Sequence, residues 1–247
     1  MTAINKIADG FIDASVLQTK TGISRKLMEN DLAKSGLSAD DLYAEPRALP
    51  SIFCPRGDLV IGCYRIPYFD SKGEVMEHMW RERVFYKEGA PKDLPKYVQP
   101  NGEYLIQKDI LRCMPYLYPH GKDSNYVFIT EGEKKAVKCA DQFGVRCIGI
   151  GGKDMWHAPD IQPRILHPEI IKALDAAGAS TIIVVADPDI NEKADVKKSY
   201  AGLLLRLQTQ YADRTVRIIA PPEKVDDWLA EETDIELDEL LALEDIE

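Results

Sequence analysis

The period of the hydrophobic pattern changes twice along this chain. Leu27, Met28, Leu32 and Ala33 recur at helical spacing behind Ser24, a candidate cap, and Gly36 is placed to stop the helix. Residues 1–46 therefore read as a helical segment, with a further short turn from Ser38 through Leu42. Pro46 and Pro50 bracket the connection that follows. Leu59 to Phe69 and Val75 to Tyr86 are extended, rich in β-branched and aromatic residues, and flank the turn Asp70-Ser71-Lys72-Gly73, which predicts a hairpin. Pro91, Pro95 and Pro100 keep the next stretch out of helices. From Tyr126 the pattern alternates. Strands are predicted at Val127–Thr130, Val145–Ile150, Thr181–Ala186 and Thr215–Ala220, with helices between them at Glu133–Phe143, Glu169–Ala177 and Val196–Tyr211. That order predicts an α/β fold with a mainly parallel four-stranded sheet flanked by helices. The predicted division is a helical segment (1–46), a β-rich domain (47–125), the α/β domain (126–230) and an acidic tail (231–247).

Composition narrows the class. With 247 residues, 45% hydrophobic and 29% charged, the chain can bury a substantial core. No apolar run approaches membrane-span length, and Met1 to Gly10 lacks the pattern of a signal peptide. Five cysteines without a C-x-x-C pair argue against a disulfide framework or a zinc ribbon, so the expectation is a cytoplasmic protein with reduced thiols. The four histidines show no metal-ligand spacing. The net charge of −10 is misleading. Twelve acids and one lysine between Glu223 and Glu247 carry −11, which leaves +1 on residues 1–222. A near-neutral body with local basic patches is compatible with nucleic acid.

Candidate chemistry lies where the predicted parallel strands end, since ligands of open parallel sheets sit beyond the carboxyl ends. Glu131 follows the first strand, Asp187-Pro188-Asp189 the third, and Asp226-Asp227 come shortly after the fourth. Clustered carboxylates repel unless a cation neutralises them, and hard oxygen donors suit Mg²⁺ or Mn²⁺, whose remaining sites favour phosphate oxygens. Pro188 ends its strand and stiffens the turn. A solvated acidic turn is the alternative reading of the D-x-D.

Those residues carry a resemblance. Val127–Ala136 (VFITEGEKKA), followed by a helix, a strand and Ile182–Asp189 (IIVVADPD), resembles the TOPRIM family of bacterial primases, topoisomerases and some nucleases. Its signature is a glutamate after the first strand and a D-x-D after a later one, matched by Glu131 and by Asp187 and Asp189. Val225–Ala230 (VDDWLA) resembles the acidic segment after the next strand. The Glu-Gly-Glu-Lys-Lys-Ala variant is similar to a subgroup in replication proteins of phages and plasmids, often found near a helicase. Asp31–Ser38, Arg65–Tyr68 with Gly73, and Lys96–Pro100 also resemble that subgroup, so the likeness spans about residues 30–230. It implies a primase-like, Mg²⁺-dependent nucleotidyltransferase acting on single-stranded DNA and nucleotides, with a replicative helicase as partner. Glu131, Asp187 and Asp189 are then the catalytic and metal-holding set, with Asp226 and Asp227 as further metal candidates. The pattern departs at Lys135, where primases often carry an aspartate four residues after the glutamate.

Thr130 and Glu133 have the spacing of a capping box. Lys134 and Lys135 oppose the dipole at a helix N-terminus, so they are either solvated or matched by an anion. Gly149, Gly151, Gly152 and Lys153 lack P-loop spacing and read as a strand-ending turn. Eleven of the twenty aromatics lie between Phe53 and Tyr118, interleaved with basic residues. On a strand, Arg81, Arg83 and Phe85 share one face and Trp80, Val84 and Tyr86 the other. Arg65, Arg81, Arg83 and Lys96, with Lys134 and Lys135, are the candidate nucleic-acid contacts; the alternative is a solvated basic face. The tail is either an amphipathic helix docked on the body or a partner, or the start of a linker. Three functions follow: the primase-like enzyme, a metal-dependent nuclease using the same carboxylates, and a non-catalytic nucleic-acid-binding subunit. A topoisomerase needs a strand-passage apparatus for which this chain has no room.

Overall fold

The computed structural model describes residues 13–246; the predicted absence of a signal peptide at Met1–Gly10 and the first residues of the helical segment lie outside them. Helix α1 (Ala14–Ala33) starts earlier than its pattern suggests, because Asp13 caps it by accepting the Ser15 N–H at 2.8 Å. Ser24 is not a cap. It is buried in mid-helix, donates to the Arg47 carbonyl at 2.6 Å and accepts the Cys63 N–H at 3.1 Å. Gly62 makes this approach possible, since a Cβ there would meet Leu27 Cδ1 at 2.7 Å. The chain leaves the helix through Gly36 at φ +62°.

The first sheet is antiparallel, in the order β1 (Glu45–Arg47), β2 (Val60–Phe69), β3 (Val75–Tyr86), β4 (Tyr97–Val98). The hairpin of β2 and β3 turns where predicted: Asp70 Oδ1 accepts the N–H groups of Lys72 and Glu74, and Gly73 takes φ +82°. A short α2 (Gly102–Ile106), capped by Asn101, leads to β5 (Tyr116–Leu117).

The second sheet has five strands, not four, in the order β5-β7-β6-β8-β9, with β6 (Tyr126–Glu131), β7 (Arg146–Ile150), β8 (Thr181–Val185) and β9 (Thr215–Ile219) parallel. The fifth, β5, is an antiparallel edge that pairs Tyr116 with Gly149 and Leu117 with Ile148. Two residues are too few to show a period, so pattern alone could not find it. Tyr116 thus belongs to the second sheet while its ring meets Tyr68 and Phe69 of the first at centroid distances of 5.4 and 6.1 Å.

The strands are apolar on both faces, as expected of a covered parallel sheet. Phe128, Cys147, Ile183 and Ile219 pack with α3 (Glu133–Phe143), with α1 and with the first sheet. Val127, Ile129, Ile182 and Val184 face α4 (Pro168–Ala177) and α5 (Ala194–Gln210). Beyond β9, α6 (Val225–Glu231) and α7 (Leu237–Leu241) join the first of these cores through Val225, Leu229 and Leu240. The acidic tail therefore docks on its own body. Arg217 holds it by donating to the carbonyls of Leu241 and Leu243 and to Asp245, at 2.8 to 2.9 Å. Among the described residues, no helix is long and apolar enough to cross a membrane.

Docking makes Leu240 a core residue. Leu240→Ala should lower stability in equilibrium urea unfolding by about 2–5 kcal/mol. A change below about 0.5 kcal/mol would mean that the tail is not part of the folded unit.

Candidate functional site

A cleft of about 520 Å³ opens between the two sheets, at the carboxyl ends of β6 and β8. Gly132 shapes its floor. It holds φ +96° and ψ 159°, a region open essentially to glycine, and donates its N–H to the Ile150 carbonyl at 2.8 Å. The chain can therefore turn sharply from Glu131 into α3. Gly149 leaves room for that turn, because a Cβ there would stand 2.9 Å from the Gly132 carbonyl oxygen. At the end of β8, Asp187 is extended (φ −71°, ψ 150°), and Pro188 opens a short 3₁₀ turn through Asn191.

Two of the three strand-end carboxylates are held by lysines. Lys135, in the first turn of α3, donates to Asp187 Oδ1, and both side chains are largely buried. Lys193 donates to Asp189 Oδ2 at 2.7 Å on the exposed rim. The Glu131 side chain makes neither a hydrogen bond nor an ion pair among the described residues. Burial pushes its carboxyl above the usual range; Lys135 draws it back, and Asp187 and Asp189 push it up again. Lys134 faces Asp31, at 3.8 Å from its Oδ2. Both lysines at the α3 N-terminus thus meet carboxylates of this chain, which offsets their conflict with the helix dipole.

Glu133 is not half of a capping box. Gly132 is the N-cap, and Thr130 lies inside β6 with its hydroxyl unpartnered. Glu133, only 4% exposed, instead accepts from Tyr68 at 2.5 Å and from Arg81 Nη1 at 3.0 Å. Arg81 also donates to the Gly151 carbonyl at 2.9 Å and lies over the Tyr97 ring at 4.6 Å. Through Nη1 and Nη2 it joins the two sheets. Arg83 stands next along the same face of β3. It lies 3.7 Å from Asp31 and over the rings of Phe85 and Tyr97, and donates to the Val84 and Lys96 carbonyls. Asp31 also accepts from Tyr64 at 2.8 Å. Burial and then Glu133 push the Tyr97 hydroxyl up to about 12, so it stays a neutral part of the wall.

The other predicted residues divide. Lys96, Asp226 and Asp227 line the same cleft. Asp226 is buried, accepts from Ser35 at 2.8 Å and, among the described residues, leaves Oδ1 unpartnered; it links the turn after α1 to α6. Arg65 does not join Arg81 and Arg83. It pairs in register with Glu82, so it emerges on the opposite face of the sheet, 3.5 Å from that carboxylate and 4.0 Å over Trp80. There it lines a smaller cleft with Tyr43, Pro67 and Met76.

Sequence reasoning did not single out Asp31, Tyr97 or the true partner of Glu133. Asp31 and Tyr97 fall in short segments of the family likeness; Glu133 fitted a local motif that concealed its tertiary role. The donors suit a hard divalent ion in kind: three carboxylates, one without a counter-ion, at the ends of adjacent strands. Among the described residues, however, no group of three Asp, Glu, His or Cys side chains stands at metal-ligand spacing.

No protein-family model and no curated protein matches the sequence. Solved structures do match. A DNA primase domain from Pseudomonas aeruginosa superposes with a TM-score of 0.55 at 16% identity, covering 88% of this chain and 74% of that one. The DnaG primase catalytic domain bound to single-stranded DNA gives 0.52 at 16%, covering 88% and 76%. The RNA polymerase domain of Mycobacterium tuberculosis primase DnaG gives 0.54 at 11%, covering 90% and 81%. The chain therefore has a primase-like fold.

Proposed function

We propose that this chain is a primase-like replication protein of a phage or plasmid, joining nucleotides on a single-stranded DNA template with Mg²⁺ or Mn²⁺. The observation that carries this reading is the meeting of two unlike walls in one cleft. Strand-end carboxylates come from the parallel sheet, and Arg83, Lys96 and the stacked Tyr97 come from the antiparallel one. A divided cleft suits a phosphodiester whose reacting phosphate is bound on one side and whose backbone is gripped on the other.

In this reading Glu131, Asp187 and Asp189 hold the ion. When bound, the ion neutralises them and polarises a phosphoryl group. Arg83, Lys96 and Lys134 contact phosphates of template or nucleotide, Arg83 and Lys134 each at the expense of its contact with Asp31. Arg81 acts through position: it keeps β3 against α3 while its neighbours bind. Asp226 supports the wall through Ser35, and Asp227 stands at the cleft edge. A helicase partner and a cytoplasmic setting belong to the same proposal. The nuclease reading uses the same carboxylates and has no observation in its favour. The accessory-subunit reading has one, the neutralisation of Asp187 by Lys135.

Template-directed primer synthesis with labelled nucleotides and Mg²⁺ should give short oligonucleotide products, and Asp187→Asn should lower the yield at least about a hundredfold. Strand nicking without synthesis would support the nuclease. Single-strand binding with neither activity would support the accessory subunit.

Arg83→Ala combined with Lys96→Ala should weaken single-strand binding and reduce its salt slope by about 0.7 for each lost contact. Unchanged affinity and slope would return both residues to a structural role.

A further inference from the structure

Lys135 and Asp187 form the most shielded ion pair at the strand ends. Their side chains are 12% and 17% exposed, against 58% and 38% for Lys193 and Asp189. A pair at the rim is screened by water and costs little to separate; a shielded one holds its geometry. Lys135 also follows Glu131 by four residues, one helical turn beyond the Gly132 bend, and both line the same cleft.

We propose that Lys135 is the resident counter-ion of this carboxylate site, that it occupies the place a divalent cation would take on Asp187, and that cation entry requires it to leave. The proposal rests on the reading that Glu131, Asp187 and Asp189 take such an ion. Electrostatic exclusion enforces the choice. An ammonium donating to Asp187 Oδ1 and a divalent ion on the same carboxylate repel each other at contact distance, in a cleft where water screens them poorly. Only one can neutralise the site at a time. The ammonium sits at the end of a flexible four-carbon stem and lines the cleft, so on release it can swing toward the open side. The anions that meet it there are phosphate oxygens of a nucleotide. Lys135 therefore serves two states: it stabilises the carboxylates when the cation is absent and becomes available to a phosphate when the cation is present. Lys193 cannot do this, because its pair with Asp189 already lies in solvent.

The consequence is an apparent cation affinity lower than the donor set alone would give. Mn²⁺ binding to wild type, Lys135→Met and Lys135→Arg, followed by calorimetry and by the electron paramagnetic resonance of free Mn²⁺, tests it. Lys135→Met keeps the apolar stem and loses the charge, and should bind Mn²⁺ at least about tenfold more tightly than wild type. Lys135→Arg should stay near wild type. Without metal, Lys135→Met should melt at a lower temperature than wild type, and Mn²⁺ should restore more of its stability than it adds to wild type.

A second measurement needs no variant. Acetylation of lysines in the wild-type protein, resolved by mass spectrometry, should label Lys135 several-fold faster when Mn²⁺ is present, with Lys193 unchanged. Equal or weaker Mn²⁺ binding by Lys135→Met, or labelling of Lys135 indifferent to Mn²⁺ that is demonstrably bound, overturns the counter-ion role and leaves the metal reading intact. Absence of Mn²⁺ binding from both folded proteins overturns the metal reading and the proposal with it.

Discussion

The buried contact of Arg81 with Glu133 is the constraint on which the cleft depends. Taking a guanidinium and a carboxylate out of water costs several kcal/mol, which their attraction repays only with good geometry and further hydrogen bonds. Here the Tyr68 hydroxyl donates to the same Glu133 oxygen, the Gly151 carbonyl accepts from Arg81, and Tyr97 covers the guanidinium. Burial opposes the Arg81 charge, yet Glu133 holds it above its usual range. Such a cluster contributes geometry more than stability. It ties β3 of one sheet to the first turn of α3 and to the loop after β7, and so fixes where Glu131, Gly132 and Lys135 stand relative to the opposite wall.

The same logic of internal pairing runs through the cleft. Asp31 faces both Lys134 and Arg83, Asp187 is met by Lys135, Asp189 by Lys193 and Asp226 by Ser35. Among the described residues, the Glu131 and Asp227 side chains have no such partner in this cleft. A surface balanced in this way has no strong general field for nucleic acid, in keeping with the charge of +1 on residues 1–222. Binding would proceed by exchange of internal partners for phosphates and metal, which favours a ligand that offers both charges together.

Much of this was legible in the sequence because it is local. The β/α alternation from Tyr126, the hairpin around Gly73 and the acids after β6 and β8 each follow from a pattern a few residues long. What escaped prediction is long-range. Glu133 satisfied a capping spacing with Thr130, but its partners lie at Tyr68 and Arg81, 65 and 52 residues upstream. Ser24 looked like a cap and serves as a bolt between α1 and the first sheet. Lys135 read as either solvated or matched by an anion, and its anion is Asp187. Arg65 and Arg81 read as one basic group, yet strand pairing sends them to opposite faces. Strand β5 was too short for any period. In each case a polar residue obeyed a local rule while a tertiary partner decided its role.

The central claim is that the Arg81–Glu133 contact couples the two sheets as one unit. A double-mutant cycle of Arg81→Met and Glu133→Gln, read by equilibrium urea unfolding, tests it most directly. Each single change should cost about 3–5 kcal/mol because it leaves a buried partner uncompensated. The double variant should cost well below the sum of the two, with a coupling energy of about 1–3 kcal/mol. Additive losses, or single changes below about 1 kcal/mol, would show that the two sheets are held together by something else.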